Sequence, residues 1–301
     1  MIRSFGVFLL VLLFQNGLFS QILKQKIEWV QYFDGTGISK QKRTINYNKK
    51  GEPTSEYLKR EGVEEKIAVY QYDKKGRLLK VKDDSGTELY TYYKGFYVLK
   101  EFNGDNLSWL RYCYTNSSDQ IIEEKLYRND RDSIKPKNLK LYRWTISTYN
   151  PRGLLIGTRF KQFPDNVSPT ATKILYTYKP NTNLRLSSKW YFLDEKGKEK
   201  ASNCFRNRTY TYNDKNQLIS EGEGCHDDQI VYKYKDGQLW TKTTVDHGID
   251  IKIYKDVEVY KDGILVRKKF YEYHHRSSDD TKKLGEKGLR KIIDYQYQYN
   301  N

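Results

Sequence analysis

The sequence predicts an all-β fold, in which consecutive antiparallel β-hairpins form one extended, twisted repeat sheet that is open at its ends and contains little helix. Three observations lead to this prediction. A unit of tyrosine, tight turn and leucine recurs along the chain, tyrosines alternate with polar residues, and 28 Tyr and 12 Phe stand against a single Met. A repeat array needs contacts only between neighbouring units, so such a sheet can lengthen without a central core.

The repeating unit is clearest from Tyr72 to Leu78, which reads YDKKGRL. Asp73 suits the first position of a type I turn, and Gly76 suits the left-handed residue of a three-residue hairpin loop. This geometry places Tyr72 opposite Leu78 on one face of the hairpin. Further versions run from Tyr47 to Pro53, Tyr149 to Leu155, Tyr178 to Leu184, Tyr212 to Leu218, Tyr234 to Leu239 and Tyr260 to Leu265.

Two of these units have a shorter turn. Asp236-Gly237 and Asp262-Gly263 are dipeptides typical of a two-residue type I′ hairpin. With the loop shortened in this way, Tyr234 still falls opposite Leu239, and Tyr260 opposite Leu265. Two loop lengths therefore preserve one cross-strand pairing.

The strands that enter these turns alternate with a period of two. One face is then aromatic and the other polar, which is a strand pattern and would scatter the tyrosines around a helix. The segments are Tyr70-Gln71-Tyr72, Tyr90-Thr91-Tyr92, Tyr112-Cys113-Tyr114, Tyr176-Thr177-Tyr178, Tyr210-Thr211-Tyr212, Tyr232-Lys233-Tyr234 and Tyr295-Gln296-Tyr297-Gln298-Tyr299.

The N-terminus is typical of a secretory signal peptide. Residues 1–20 carry one basic residue, Arg3, followed by an apolar run and a small residue, Ser20, while an uncleaved anchor is the alternative. Residues 21–301 are then expected to form a single repeat domain, with cap strands in 21–46 and an irregular segment plus a terminal strand in 274–301. The mature protein should be exported to the periplasm, the cell surface or the medium, without a transmembrane segment.

The charge balance is strongly basic, with 54 Lys and Arg against 38 Asp and Glu and a net charge of +16. Removal of Arg3 with the signal peptide leaves 53 basic residues and a net charge of +15. Such an excess attracts anionic surfaces or polymers. The alternative is that Lys and Arg only solubilise exposed strands and protect sheet edges.

Three cysteines in an exported chain allow one disulfide and one free thiol. Cys204 and Cys225 flank a hairpin and are the predicted pair. The register that pairs Tyr212 with Leu218 puts them on opposite faces, so their pairing requires a one-residue bulge or a four-residue loop. Cys113 is predicted to be a small strand residue.

The unit from Tyr70 to Leu78, followed by Tyr90-Thr91-Tyr92, resembles the YD repeat of RHS proteins, and the similarity extends over most of the mature chain. MORN-variant repeats, which are also tyrosine- and glycine-rich hairpins, are a second resemblance. The first resemblance implies a continuous strip of β-hairpins. Neither family supplies catalytic residues for this sequence, and a shared fold does not imply a shared function.

No catalytic or metal-binding constellation is evident. His226, His247 and the adjacent His274 and His275 do not converge on a shared strand face, and no nucleophile motif occurs. The sequence predicts no cofactor. Aromatic side chains interleaved with Lys and Arg could instead stack on sugar rings and hold acidic groups, although each ring could equally pack the sheet. The candidate binding residues are Trp109, Trp144, Trp190 and Trp240.

These observations predict an exported, noncatalytic structural or binding protein of a bacterial cell envelope. Its expected partner is an envelope protein or an anionic glycan, and nucleic acid is not expected. One alternative is a polysaccharide-processing enzyme with its acids in the loop insertions, and another is a subunit of a larger envelope assembly. The insertions are Arg128 to Lys140, Gln162 to Thr172, a segment around Asp194 to Gly197, and His274 to Lys291.

Overall fold

A computed structural model gives the fold of the chain and describes residues 23–34, 37–129, 139–164, 170–194, 196–201, 207–223, 229–247, 252–274 and 289–299. All regular secondary structure in these ranges is β-strand, which confirms the all-β prediction. The signal-peptide prediction lies outside the described residues. No helix that is long and apolar enough to cross a membrane occurs in the described part of the chain.

The strands follow one another as an up-and-down meander, in which each pairs antiparallel with the next. They are β1 (Leu23–Asp34), β2 (Gly37–Tyr47), β3 (Pro53–Arg60), β4 (Val63–Tyr72), β5 (Leu78–Asp83), β6 (Thr87–Tyr93), β7 (Phe96–Asn103), β8 (Asn106–Thr115), β9 (Ile121–Asn129), β10 (Leu139–Tyr149), β11 (Leu155–Gln162), β12 (Thr170–Tyr178), β13 (Arg185–Leu193), β14 (Glu199–Ala201), β15 (Arg208–Tyr212), β16 (Leu218–Glu223), β17 (Gln229–Lys235), β18 (Gln238–His247), β19 (Lys252–Lys261), β20 (Ile264–His274) and β21 (Leu289–Tyr299).

The sheet closes on itself, and the prediction of an open, twisted strip is therefore wrong. β1 pairs with β2 on one side and with β21 on the other, along a ladder that runs from Leu23↔Tyr299 to Tyr32↔Lys291. Short β14 and β15 both pair with β13 and share one position, so the result is a closed antiparallel barrel of 20 strands. Closure gives the first and last strands a partner and removes the bare edges of an open strip.

The tyrosine units form the hairpins that the sequence predicts, with one exception. Tyr72 lies opposite Leu78, and a tyrosine also lies opposite a leucine in the units that start at Tyr149, Tyr212, Tyr234 and Tyr260, while Tyr47 lies opposite Pro53 as its unit predicts. Tyr178 instead pairs with Arg185, because the Lys179 amide donates to the Leu184 carbonyl across a loop that is one residue longer. At each of these units the register shifts by one residue just before the tyrosine, which is a β-bulge that bends and twists the ribbon.

The turn residues account for the tightness of these hairpins. In the unit at Tyr72, one carboxylate oxygen of Asp73 accepts hydrogen bonds from the backbone amides of Lys75 and Arg77, at 2.8 and 2.9 Å. Gly76 has a φ of +81°, a left-handed conformation that disfavours most other residues. In the two-residue turns, Asp236 and Gly237 both have positive φ, as a type I′ turn requires.

All tyrosine turns lie at one rim of the barrel, because the strands alternate in direction. Side chains join neighbouring turns there: the Gln120 amide donates to the Gly153 carbonyl at 2.7 Å, and the Gln217 amide to the Gly237 carbonyl at 2.8 Å. The strands that flank the four predicted insertions end at the opposite rim. The tyrosine turns and the insertions thus occupy different ends of the barrel.

The tyrosine hydroxyls also link successive units. The hydroxyl of Tyr212 donates to the carbonyl of Arg185 at 2.9 Å, and Arg185 is the residue opposite the preceding tyrosine, Tyr178. The hydroxyl of Tyr234 donates in the same way to the carbonyl of Leu218, which lies opposite Tyr212. Equivalent bonds start from Tyr149, Tyr178 and Tyr297. The tyrosine therefore stabilises its own hairpin and also ties it to its neighbour.

The predicted disulfide between Cys204 and Cys225 is not supported. No disulfide occurs within the described ranges, and both cysteines lie outside them. Cys113 is a free cysteine in β8 and is 1% exposed. β1 and β2, which correspond to the predicted cap, are ordinary members of the ring and carry its closing ladder.

Candidate functional site

The register divides the strand side chains into two faces of different chemistry. The tyrosine face carries most of the alternating tyrosines, which are half-buried, whereas the residues between them, such as Gln71, Thr91, Thr177 and Lys233, are exposed on the other face. Tyr112 and Tyr114 are exceptions, because Cys113 lies on the tyrosine face and these two tyrosines lie on the other. We call this second surface the lysine face. It carries Lys40, Lys42, Lys59, Lys66, Lys80, Lys82, Lys100, Lys125, Arg159, Lys161, Lys173, Lys189, Lys233, Lys255, Arg267 and Lys269.

Charges on the tyrosine face neutralise one another. Glu56 is 6% exposed and accepts hydrogen bonds from the Arg43 guanidinium, including one from Nε at 2.9 Å, and from the Tyr70 hydroxyl at 2.6 Å. Glu28 lies 3.6 Å from the same guanidinium. Burial alone would lower the pKa of Arg43, but the adjacent Glu56 and Glu28 carboxylates raise it instead. Burial and the bond to Glu56 raise the pKa of Tyr70.

A similar cluster surrounds Glu258 on the opposite side of the closing seam. Its carboxylate accepts a hydrogen bond from the Tyr260 hydroxyl at 2.7 Å, and the ammonium groups of Lys268 and Lys242 lie 3.3 and 3.7 Å away. Burial would raise the pKa of Glu258, yet the Tyr260 bond and the two lysines together lower it. In these two clusters, the charged groups of the tyrosine face therefore already have partners of opposite charge.

A cleft interrupts the tyrosine face near β6 to β8. It encloses about 220 Å³ and is lined by Glu88, Glu101 and Trp109, among other residues. Glu88 lies directly opposite Glu101 in the ladder, and Glu101 lies opposite Trp109. Burial raises the pKa of Glu101, and the like charges of Glu88 and Glu124 raise it further against the opposing effect of Arg111. The cleft thus contains a pair of acids whose mutual repulsion costs stability.

Replacement of Glu101 by glutamine is expected to stabilise the protein by about 0.5–1 kcal/mol at pH 7, because it removes a like-charge cross-strand pair. The change also removes the ion pair between Glu101 and Arg111 at 3.4 Å, but Arg111 keeps Glu124 as a partner at 3.7 Å. The folded-state pKa of Glu101 lies above its ordinary value of 4.5, so the ionised form costs stability above that folded value. The gain should therefore disappear as the pH falls below 4.5. Urea unfolding between pH 3.5 and 7 measures it, and a gain unchanged in a Glu88→Gln background would contradict the explanation.

The lysine face has few acids to balance its bases. On its strands these are Glu64, Glu123, Glu199 and Asp294, of which Asp294 pairs with Arg267 at 2.5 Å. Two places put like charges directly opposite each other across adjacent strands. They are Lys42 with Lys59, and Arg159 with Lys173. Such pairs weaken a sheet, so the fold retains them at a cost.

The four predicted binding tryptophans do not form one site. Trp109 lies in the cleft and packs edge-on against Tyr142 with ring centroids 5.3 Å apart. Trp190 packs edge-on against Phe160, also on the tyrosine face. Trp240 is 48% exposed beside the β-bulge that follows Leu239, and Trp144 is 38% exposed on the lysine face. Only Trp144 combines exposure with neighbouring lysines.

Sequence reasoning missed Trp29, the fifth tryptophan. It is 47% exposed on the lysine face, and the Lys42 ammonium lies 5.4 Å from its ring centroid. The sequence did contain a signal for this surface, because Lys40 and Lys42 are two residues apart and therefore lie on one face of β2.

The described residues contain no group of three or more His, Cys, Asp or Glu side chains positioned to hold a metal ion. The insertion acids of the enzyme alternative fall largely on residues outside the described ranges.

Comparisons with known proteins give no family. No family model matches the chain, and no curated protein matches it. Among solved structures, it is similar to a chain of the Photorhabdus luminescens Tc holotoxin pore, an RHS-repeat-containing toxin, with 13% identity and a TM-score of 0.42. That match covers 90% of this chain and 16% of the toxin chain. A porin-like protein from Bacteroides uniformis matches with 10% identity and a TM-score of 0.42, over 92% of this chain and 97% of that one. Similarity at this level assigns no activity.

Proposed function

We propose that this protein is a noncatalytic binding protein that recognises an anionic glycan through the lysine face of its barrel. The observation that carries this proposal is the separation of charge between the two faces. Acids and bases pair on the tyrosine face, whereas the lysine face presents bases with few acids among them. A surface of one sign concentrates polymers of the opposite sign.

As part of this proposal, the lysine face is the outer surface of the barrel. A barrel of this many strands has a wide interior and not a packed core. Both faces contain residues less than 9% exposed, such as Glu28, Glu56 and Cys113 on the tyrosine face and Ile27 and Thr44 on the lysine face, but exposed side chains are more frequent on the lysine face, and we assign it to the outside for that reason. Lys59, Lys100, Lys161 and Lys189 are exposed on the lysine face. Lysines at strand centres would be costly against hydrocarbon, which favours an outer surface in contact with water.

The like-charge pairs support the same function. Lys42 and Lys59 would stabilise the sheet more if one of them were acidic or neutral. A bound carboxylate or sulfate would neutralise both, so ligand binding would recover the stability that the pair costs. The export predicted from residues 1–20 would bring this surface to envelope glycans, and this location is part of the proposal.

The test is binding of the full chain to alginate, a linear polyuronate, with uncharged dextran as the comparison. We expect the alginate affinity to fall by about tenfold or more between 50 and 500 mM NaCl, because salt screens exposed charges. Lys42→Glu should weaken alginate binding about three- to tenfold, or ~0.7–1.4 kcal/mol. The Tm should stay level or rise, because the new acid lies opposite Lys59.

Lys74→Glu is the matched control. It changes the net charge by the same amount but lies in an exposed turn at the rim, away from the lysine face. We expect it to change alginate affinity less than twofold by the same electrostatic argument. If Lys42→Glu and Lys74→Glu lose the same amount of alginate affinity, net charge alone determines binding and the lysine face is not the site. If the unmodified protein shows no salt-dependent binding of alginate, the proposed function is wrong.

A further inference from the structure

We propose that Trp144, together with Lys161 and Arg159, forms the primary sugar-stacking subsite of the lysine face and takes a linear acidic polysaccharide with charges about one disaccharide apart. This inference rests on the proposed function and adds the position and spacing of the subsite. Its central feature is a tryptophan between two lysines on three adjacent strands. Trp144 lies opposite Lys125 on β9 and opposite Lys161 on β11.

The indole is held in place before any ligand binds. Its Nε1 donates a hydrogen bond to Glu123 Oε1 at 2.8 Å, and the Lys125 ammonium lies 3.0 Å from the same oxygen. Glu123 therefore fixes the ring and also pairs with Lys125, whose ammonium keeps further N–H donors for a ligand carboxylate. A ring that is already oriented loses less conformational freedom on binding, which improves affinity.

The cations beside the ring remain available. Lys161 and Arg159 are exposed, and within the described residues no carboxylate lies at ion-pair distance from either of them, while the Lys161 ammonium lies 5.2 Å from the centroid of the Phe163 ring. Lys173, which opposes Arg159, is already paired with Glu199 at 2.5 Å. Ile146 is 40% exposed on the same face, opposite Glu123 and Arg159, and extends the apolar surface of Trp144 along β10.

Other tryptophans in the described ranges are less suitable. The rings of Trp109 and Trp190 pack against neighbouring aromatic rings, and Lys42 lies over the ring of Trp29. Trp240 is exposed but lies beside a bulge and not in a ladder position between two lysines. Trp144 is therefore the exposed tryptophan of the described residues that lies opposite a lysine on both neighbouring strands, whereas Trp29 lies opposite Lys42 and Asp294.

The spacing selects the class of ligand. Lys125 and Lys161 are separated by two strand intervals, about 10 Å. A hexose polymer with one carboxylate on every second sugar has a similar distance between charges, and the sugar between them would lie over the indole. Single-stranded nucleic acid could also stack on an indole, but it carries a phosphate at every nucleotide and so has more closely spaced charges.

The test compares Trp144→Ala, Lys161→Glu and Trp240→Ala in the full chain, with hyaluronan oligosaccharides as the alternating acidic probe. Neutral cello-oligosaccharides and oligothymidine serve as competitors. We expect Trp144→Ala to weaken binding about five- to tenfold, as the loss of one stacked ring does. Lys161→Glu should weaken binding about threefold or more. The affinity of this variant should also depend less steeply on salt than the affinity of the unmodified protein does. Trp240→Ala should bind like the unmodified protein.

Tryptophan fluorescence gives a second readout that does not depend on affinity alone. The emission change on saturation should persist in Trp240→Ala and be lost in Trp144→Ala, with unchanged thermal unfolding as the check on folding. If Trp144→Ala and Trp240→Ala bind alike while the salt-dependent binding of alginate remains, this subsite is wrong and the proposed function stands. If oligothymidine displaces the glycan more strongly than hyaluronan oligosaccharides do, the ligand class is wrong. If no polyanion binds, both proposals fail.

Discussion

Replacement of Glu56 by glutamine is expected to lower the free energy of unfolding by about 2–4 kcal/mol, because it removes the negative charge from a buried ion pair and leaves the Arg43 guanidinium with too few acceptors. Glu56 is 6% exposed and accepts bonds from both Arg43 and Tyr70. Glu28 lies 3.6 Å from Arg43 and still neutralises part of its charge in the variant. The expected loss of stability is therefore smaller than the largest losses seen when a fully buried ion pair is broken. Urea denaturation at pH 7 provides the measurement.

A double-mutant cycle separates the Glu56 hydrogen bonds from general effects of charge. Tyr70→Phe alone should cost about 1–2 kcal/mol, and the double variant should cost less than the two single costs combined, since both changes remove the same bond. Glu64→Gln, an exposed acid on β4, is the matched control and should change stability by less than about 0.5 kcal/mol. A loss in Glu64→Gln as large as that in Glu56→Gln would show that burial is not the cause.

Replacement of Gly86 by alanine is expected to cost about 3 kcal/mol or more, since the added Cβ would overlap backbone that cannot move freely. An ideal Cβ at Gly86 would lie 2.0 Å from the Phe102 carbonyl oxygen, and the φ of Gly86 is +151°. The turn is anchored by Asp83, whose amide donates to the Gly86 carbonyl at 3.0 Å and whose carboxylate accepts from the Gly86 amide at 3.0 Å. Relief of the overlap must therefore displace the β5–β6 turn or β7.

Gly104→Ala is the control for the Gly86 prediction. Gly104 also has a positive φ, +57°, but no atom lies within 4 Å of its ideal Cβ. It should cost only the conformational penalty of about 1 kcal/mol. Thermal and urea unfolding of both variants measure the difference, and equal losses would show that backbone conformation alone sets the cost. Gly86 also lines the acidic cleft, so its variant should disturb that cleft as well.

The local turn chemistry was predictable because it depends on neighbouring residues. Asp73 and Gly76 determine a three-residue loop, Asp236 and Gly237 determine a two-residue loop, and the tyrosine–leucine pairing follows from the loop length. Tyr178 shows the limit of this reasoning. Its loop contains Asn181 in a left-handed conformation, and one additional residue shifts its partner to Arg185.

Closure of the barrel was not predictable in the same way. It depends on pairing between β1 and β21, which are separated by almost the whole chain, and on bulges whose bends accumulate around the sheet. The repeat pattern contains only nearest-neighbour information, so an open strip and a closed ring look alike in it. The opposition of Glu88 and Glu101 likewise requires the register between β6 and β7. The separation of charge between faces was partly visible, in Lys40 and Lys42 and in Lys80 and Lys82.

The closing seam between the first and last strands has a consequence for biogenesis. β1 and β21 are separated by almost the whole chain, so any partly folded sheet that lacks their ladder exposes two unpaired edge strands. Unpaired edge strands can pair with other molecules. We therefore expect partly folded chains to associate until the closing ladder forms.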